Sequence, residues 1–134
     1  MKDKESVRVD MNIYTAELEN EYAATEPNLR TELSSESPCK EAIDMTTAGH
    51  LLRAVYAVHN GVYAMSQDIP GLVETSSNLA SIKQVEGNKI KIVTSQRSSI
   101  LSSRKDMSET IRSAFLLVGA EVTTGEGYPG WKPN

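Results

Sequence analysis

Residues 73–98 have the sequence VETSSNLASIKQVEGNKIKIVTSQRS, in which two alternating segments flank a turn. Residues 73–85 alternate loosely between apolar and polar side chains, which predicts a strand. The tripeptide Glu86-Gly87-Asn88 is typical of a hairpin connection. Residues 90–95 alternate again and predict a second strand that ends at about Ser98. The stretch therefore predicts a β-hairpin.

The elements on either side of this hairpin follow from the spacing of apolar residues. Upstream, the pattern predicts helices over residues 5–24 and 47–59 and strands over 29–33 and 62–65. Downstream, it predicts a helix over residues 103–118, which Gly119 ends, and a short strand over 120–124.

After the first helix, the predicted order is strand, helix, strand, strand, helix, strand. This order is typical of an α+β, ferredoxin-like βαββαβ fold, in which an antiparallel sheet carries two helices on one face. The first helix is an addition to that fold. The chain has 134 residues, which suits a single domain over 1–134 with an aperiodic tail over 125–134.

Composition narrows the function classes. The net charge of −4 argues against binding to nucleic acid, which favours a basic excess. No apolar run approaches the roughly 18 residues that span a bilayer, and the charged first residues do not resemble a secretory signal. We therefore expect no membrane partner. The single cysteine, Cys39, cannot form an internal disulfide, so a cytoplasmic location is expected.

Two polar residues of the hairpin are candidates for ligand binding. Arg97 lies on the second strand among small polar residues, and a guanidinium held on a strand suits bidentate recognition of a carboxylate. Asn78 lies on the preceding strand, where its amide could supply a second polar contact. The alternative interpretation is a surface arginine paired with a neighbouring carboxylate, which is a common arrangement.

Three stretches together resemble the aminoacyl-histidine dipeptidase family, also called Xaa-His dipeptidase, peptidase D or carnosinase-like dipeptidase. They are residues 73–79 (VETSSNL), residues 95–99 (SQRSS), and residues 118–122 (VGAEV) followed by 127–133 (GYPGWKP). The helix at residues 12–21 and the tripeptide at 60–62 fit the same part of that family. The resemblance covers nearly the whole chain.

Members of this family combine a catalytic domain, which holds two zinc ions, with an inserted lid domain that covers the substrate and often mediates dimerisation. The His-x-Asp, bridging Asp, Glu-Glu and late His of the family's metal site are all missing from this sequence. The resemblance therefore implies that the chain is the second half of a lid, with residues 125–134 leading back to the catalytic domain. It implies no cofactor in the chain, two zinc ions in the parent enzyme, and no activity for the fragment alone.

The resemblance also assigns roles. In the wider family a lid-strand arginine grips the substrate carboxylate, which Arg97 matches, and an Asn or Thr on the preceding strand contacts the substrate, which Asn78 matches. The hairpin between them is longer than in some relatives. The expected parent is a cytoplasmic zinc-dependent dipeptidase for Xaa-His dipeptides, whose partners are the substrate, its own catalytic domain and a second copy in a homodimer. The alternative is a stand-alone ferredoxin-like module that binds a small ligand or dimerises, without enzymatic activity.

Overall fold

The structure is a computed structural model that describes residues 4–37, 39 and 41–125. The chain divides into two compact units, Met1–Ala42 and Ile43–Asn134, and each is described by itself. The expectation of one domain over 1–134 stays a prediction. Of the predicted tail over 125–134, all but Gly125 lies outside the described residues, as does the 127–133 stretch that carries part of the family resemblance.

The first unit contains helix α1, Lys4–Glu21. Its apolar residues recur every three or four positions, as the sequence predicted, and the helix stops shortly before Pro27. No residue of α1 is buried, although Met11 and Leu18 are half-buried. A turn follows, in which the Glu26 N–H donates to the Tyr22 carbonyl at 2.7 Å.

The predicted strand over residues 29–33 is wrong: this segment is irregular. Its side chains instead contact α1, since the Thr31 hydroxyl hydrogen-bonds to the Thr15 hydroxyl and Arg30 lies 3.7 Å from the Glu19 carboxylate. A strand needs a neighbour to satisfy its backbone hydrogen bonds. No strand is present among the described residues of this unit, so alternation alone did not produce one.

The second unit has two helices and three strands. In chain order they are α2 (Met45–Ala57), β1 (Gly61–Met65), β2 (Val73–Val85), β3 (Lys89–Ser98) and α3 (Leu101–Leu117). The strands form one antiparallel sheet in the order β1-β2-β3. The α+β class is confirmed, and each of these five elements corresponds to one predicted from the sequence.

The connection between β2 and β3 is the predicted three-residue turn. Val85 pairs with Lys89, so only Glu86, Gly87 and Asn88 lie between the strands. Gly87 has φ of 76° and Asn88 has φ of 55°, both in the left-handed region. Glycine and asparagine tolerate this region best, which explains why the reversal occurs at these two residues.

Helix α2 begins two residues earlier than predicted because Asp44 caps it. The Asp44 Oδ1 accepts hydrogen bonds from the backbone N–H groups of Thr46 and Thr47, each at 3.0 Å. Interaction with the Thr47 side chain, and then with these N–H groups, holds the pKa of the Asp44 carboxyl below its usual value. Asp44 is therefore the N-cap of α2.

The predicted strand over residues 120–124 is also wrong, because α3 ends in a closed hydrogen-bonded turn. The Gly119 N–H donates to the Leu116 carbonyl and the Ala120 N–H to the Phe115 carbonyl, with Gly119 at φ of 77°. This is the Schellman arrangement. Ala120 and Val122 pack against the core, which accounts for their alternation without any strand partner.

The core of this unit is small and lies between the two helices and the sheet. Its buried apolar residues come from the end of α2 and from one face of α3: Ala54, Val58, Met107, Ile111 and Phe115. Ile92 of β3 packs against this cluster. Helix α3 therefore lies on the face of the sheet to which Ile92 belongs, and α2 packs against α3. No helix of the described residues is long and apolar enough to cross a membrane.

Because this core is small, each of its side chains matters to stability. We expect Ile111→Ala to lower the free energy of unfolding by about 2–5 kcal/mol, from lost burial and the cavity left behind. Leu117→Ala, on the same helix but 88% exposed, should change it by no more than about 0.5 kcal/mol. Chemical denaturation of both variants measures this, and equal losses would contradict the assigned core.

Candidate functional site

The register of β2 and β3 divides their residues between two faces of the sheet. Directly opposite residues of an antiparallel pair share a face, so Arg97 shares one face with Ser76, and Ser98 shares the other with Thr75. Helix α3 covers the face of Ser98, because Ile92 belongs to that face and packs against the core. The face of Arg97 is left open by the helices of this unit.

The structure brings both predicted site residues together on this open face. Arg97 lies opposite Ser76, and Asn78 lies opposite Ser95. Asn78 is therefore a diagonal neighbour of Arg97, at a spacing of about 7–8 Å. Both side chains are exposed. The open face thus presents a guanidinium and an amide side by side, with two serines between them.

The guanidinium of Arg97 forms no ion pair with any of the residues that the structure describes. Within the described part of the chain, no carboxylate oxygen lies within 4 Å of its nitrogens. The interpretation of Arg97 as half of a surface salt bridge therefore finds no support among these residues. A guanidinium with five free donors in a planar fork matches a carboxylate ligand.

Three further cations, Lys83, Lys89 and Lys91, lie on the same face but too far away to act with Arg97. Lys83 and Lys91 are directly opposite each other near the hairpin turn. Lys91 is separated from Arg97 by about 20 Å along the strand, at about 3.3 Å per residue. At physiological ionic strength, salt largely screens the interaction between exposed charges that are more than about 8 Å apart. A carboxylate placed at Arg97 would therefore depend on contacts with its immediate neighbours and not on these lysines.

The opposite face of the sheet anchors the strand on both sides of Arg97. Thr75 is fully buried and its Oγ1 lies 2.8 Å from the Ser98 Oγ. The Gln96 Nε2 donates to the Ser77 Oγ at 3.4 Å. Among the described residues, no buried side-chain polar atom lacks a hydrogen-bond partner. The two neighbours of Arg97 in sequence are thus both bonded to β2.

Asn78 is braced from the other side of β2. The Asn60 Oδ1 accepts the Leu79 N–H at 2.8 Å, directly beyond the last backbone pair of β1 with β2, which joins Gly61 and Ser77. The side chain of Asn60 thereby extends the pairing by one step. Between Leu79 and Ser81 the pairing with β3 is irregular. The Asn60 contact fixes β2 just before this irregularity.

Sequence reasoning missed the hydroxyl and amide groups that hold these strands. Thr75, Ser77, Gln96 and Ser98 alternate with the open-face residues, but all of them are polar. A strand that is polar on both faces gives no hydrophobic signal for which face is buried. The available signal was the alternation of side chains along a strand, which places residues 96 and 98 on the opposite face of the sheet from Arg97.

The described residues do not fit a metal site. Across residues 4–37, 39 and 41–125, no three His, Cys, Asp or Glu side chains form a group that could hold a metal ion. His59 lies beyond α2, with its Nε2 at 3.0 Å from the Val62 carbonyl and its ring edge-on to Tyr63. Zinc needs three or four N, S or O ligands around one point. These residues therefore do not fit the two zinc ions that the resemblance implies for a parent enzyme.

The fold and the open face define an α+β unit whose sheet presents an exposed arginine. No protein-family model matches the chain. The chain is 32% identical over 124 residues to the cytosol non-specific dipeptidase of Escherichia coli (strain K12), covering 92% of this chain and 25% of that protein. The crystal structure of aminoacylhistidine dipeptidase from Vibrio alginolyticus matches with a TM-score of 0.87 and 30% identity, covering 97% of this chain and 26% of that one.

These comparisons confirm the predicted resemblance to the aminoacyl-histidine dipeptidase family over nearly the whole chain. They also show that the chain spans only about a quarter of the length of these relatives. The activity, substrates and partners of a whole dipeptidase are therefore matters for proposal.

Proposed function

We propose that the chain is the lid and substrate-binding part of a zinc-dependent dipeptidase that hydrolyses Xaa-His dipeptides in the cytoplasm. The observation that carries this proposal is the placement of Arg97 and Asn78 on one open sheet face. Their diagonal spacing of about 7–8 Å compares with about 7 Å for two extended residues. A dipeptide whose carboxylate rests on Arg97 therefore has its amino-terminal half within reach of Asn78.

The chain contributes binding and orientation to this reaction. The fork of the Arg97 guanidinium donates two parallel hydrogen bonds to the substrate's free carboxylate, which fixes both its position and its direction. The Asn78 amide then hydrogen-bonds to the peptide unit. Holding the substrate in one geometry lowers the entropic part of the barrier. We propose that hydrolysis itself needs residues outside this chain, since its described residues do not fit a metal site.

Exposed apolar side chains support a role inside a larger protein. Tyr56 of α2 is 94% exposed and Leu117 of α3 is 88% exposed, and Leu52 and Met45 of α2 are also exposed. Single exposed apolar residues are common, but several on the helices of one small unit are typical of a surface that another part covers. We propose that the remainder of a longer dipeptidase packs against these side chains.

The size of the endogenous polypeptide tests whether this longer protein exists. We expect an antibody raised against residues 43–125 to detect a band several times heavier than 14.7 kDa in a lysate of the source cells. A band at 14.7 kDa would mean that the chain acts alone. The proposal would then give way to the alternative, a small-ligand-binding or dimerisation module without enzymatic activity.

Dipeptide kinetics of the full-length protein test Arg97 directly. We expect Arg97→Ala to lower kcat/KM for an Xaa-His dipeptide about ten- to hundredfold, because a hydrogen bond to a charged group contributes about 1.5–3 kcal/mol. Arg97→Lys should give an intermediate loss, since an ammonium keeps the charge without the fork. With the C-terminal amide of the same dipeptide, the loss should largely disappear.

Lys91→Ala is the matched control for this experiment. Lys91 is an exposed cation on the same strand and the same face, about 20 Å from Arg97, so its removal should leave kcat/KM unchanged. If Arg97→Ala behaved like Lys91→Ala, the substrate-binding role would be refuted.

A homodimer is a second element of the proposal, supported by β1. This strand pairs only with β2 among the described residues, so its other edge is unpaired, and Val62, Tyr63 and Met65 on it are exposed. Unpaired apolar edges favour pairing with another strand. We expect sedimentation equilibrium to show a dimer that Val62→Lys weakens. A strict monomer across a wide concentration range would contradict this.

A further inference from the structure

Four groups next to Arg97 form a chain of hydrogen bonds with one consistent direction. The Ile100 N–H donates to the Ser98 Oγ at 3.0 Å, the Ser98 and Thr75 hydroxyl oxygens are 2.8 Å apart, and the Thr75 Oγ1 donates to the Glu74 Oε1 at 3.3 Å. Each hydroxyl has one proton. Since Thr75 donates to Glu74, Ser98 must donate to Thr75. The chain therefore ends on the carboxylate of Glu74.

Alternation along β2 assigns Glu74 to the face of Arg97, at the point where the pairing of β1 with β2 is irregular, because Ala64 pairs with Thr75 and Met65 with Val73. Glu74 is two positions before Ser76 on β2, and its carbonyl accepts the Ser99 N–H at 3.1 Å, which keeps the strands paired here. Glu74 is thus a diagonal neighbour of Arg97, on the side away from Asn78. At about 7–8 Å, diagonal positions are within reach of long side chains. Nevertheless, no ion pair joins Glu74 to Arg97 among the described residues.

We propose that Thr75 is a positioning residue that keeps Glu74 away from Arg97 and so leaves the guanidinium open to the substrate carboxylate. This inference rests on the proposed function. Thr75 acts from the buried face: it is fully buried, and its own position is fixed by Ser98. Glu74 is held by its bond to Thr75 and is only half-exposed.

Without this restraint, Glu74 would compete with the substrate. A glutamate released onto the open face carries the same group that Arg97 recognises in a dipeptide. Because Glu74 belongs to the neighbouring strand, its effective concentration at Arg97 is fixed, and it acts as an intramolecular competitor of the substrate. The competition weakens substrate binding without changing the bound geometry, so it raises KM and leaves kcat unchanged.

The test uses the full-length protein and the variant Thr75→Val, which keeps the shape of the side chain and removes its hydroxyl. We expect KM for a free Xaa-His dipeptide to rise about two- to fivefold, the strength typical of an exposed ion pair, with kcat unchanged. Thr75→Ser, which restores the hydroxyl, should return KM to the original value. With the C-terminal amide of the dipeptide, Thr75→Val should have no effect.

The decisive variant is the double substitution Thr75→Val with Glu74→Gln. A neutral glutamine does not pair with Arg97, so KM should return to the original value although the Thr75 hydroxyl is still missing. Ser98→Ala removes the hydroxyl that fixes the position of Thr75, so it should lower the thermal stability and raise KM in the same direction as Thr75→Val. Adding Glu74→Gln to Ser98→Ala should cancel this rise in KM.

The outcomes separate this inference from the proposed function. If Arg97→Ala leaves the kinetics unchanged, the substrate-binding role fails and this inference fails with it. If Arg97→Ala raises KM but Thr75→Val does not, or its effect persists with Glu74→Gln, only this inference is overturned. Should Thr75→Val not fold, Glu74→Gln alone decides: KM should be unchanged, and a fall of twofold or more would mean that Glu74 already occupies Arg97.

Discussion

The pairing of β2 with β3 is the constraint on which the rest of the second unit depends. It runs from Thr75 opposite Ser98 to Val85 opposite Lys89 and closes through a turn of three residues. Side chains alternate along a strand, so a slip of one residue would move Arg97 to the face beneath α3. There it would be a buried charge without a partner, at a cost of several kcal/mol. The open position of the guanidinium is thus a consequence of register.

Polar groups, rather than apolar packing, specify that register at the end of the hairpin near Arg97. The layer beneath α3 changes from Ile92, which joins the core, to Thr75, Ser77 and Ser98, which are buried hydroxyls. A buried hydroxyl without a hydrogen bond costs about 1–3 kcal/mol. The hydrogen bonds that join Thr75 to Ser98 and Ser77 to Gln96 are both lost if the strands slip. The correct register is therefore favoured by several such penalties at once, whereas a purely apolar layer would tolerate sliding more easily.

The hairpin, the three helices and β1 could be predicted from sequence, because each combines a clear period with a specific end signal. Gly87 and Asn88 close the hairpin, and Gly119 closes α3. The segments at residues 29–33 and 120–124 alternate just as clearly, but they have no end signals and no strand beside them. In the first unit Arg30 and Thr31 make polar contacts with α1, and in the second Ala120 and Val122 pack against the core. A strand depends on a distant partner, which local periodicity does not reveal.

For the candidate site too, the sequence identifies the residues, whereas their arrangement depends on how the strands pair. Arg97 and Asn78 were identifiable as residue types, and the hairpin turn placed them near each other. Their exact relation, a diagonal on one face, depends on the register, which three consecutive turn residues and a buried hydroxyl pair determine together. The roles of Thr75 and Glu74 depend on direction: the Glu74 carboxylate only accepts, so Thr75 donates to it, and the single proton of each hydroxyl then makes Ser98 the donor to Thr75. Sequence alone does not contain these directions, which place the Glu74 carboxylate on Thr75 although Arg97 is a diagonal neighbour.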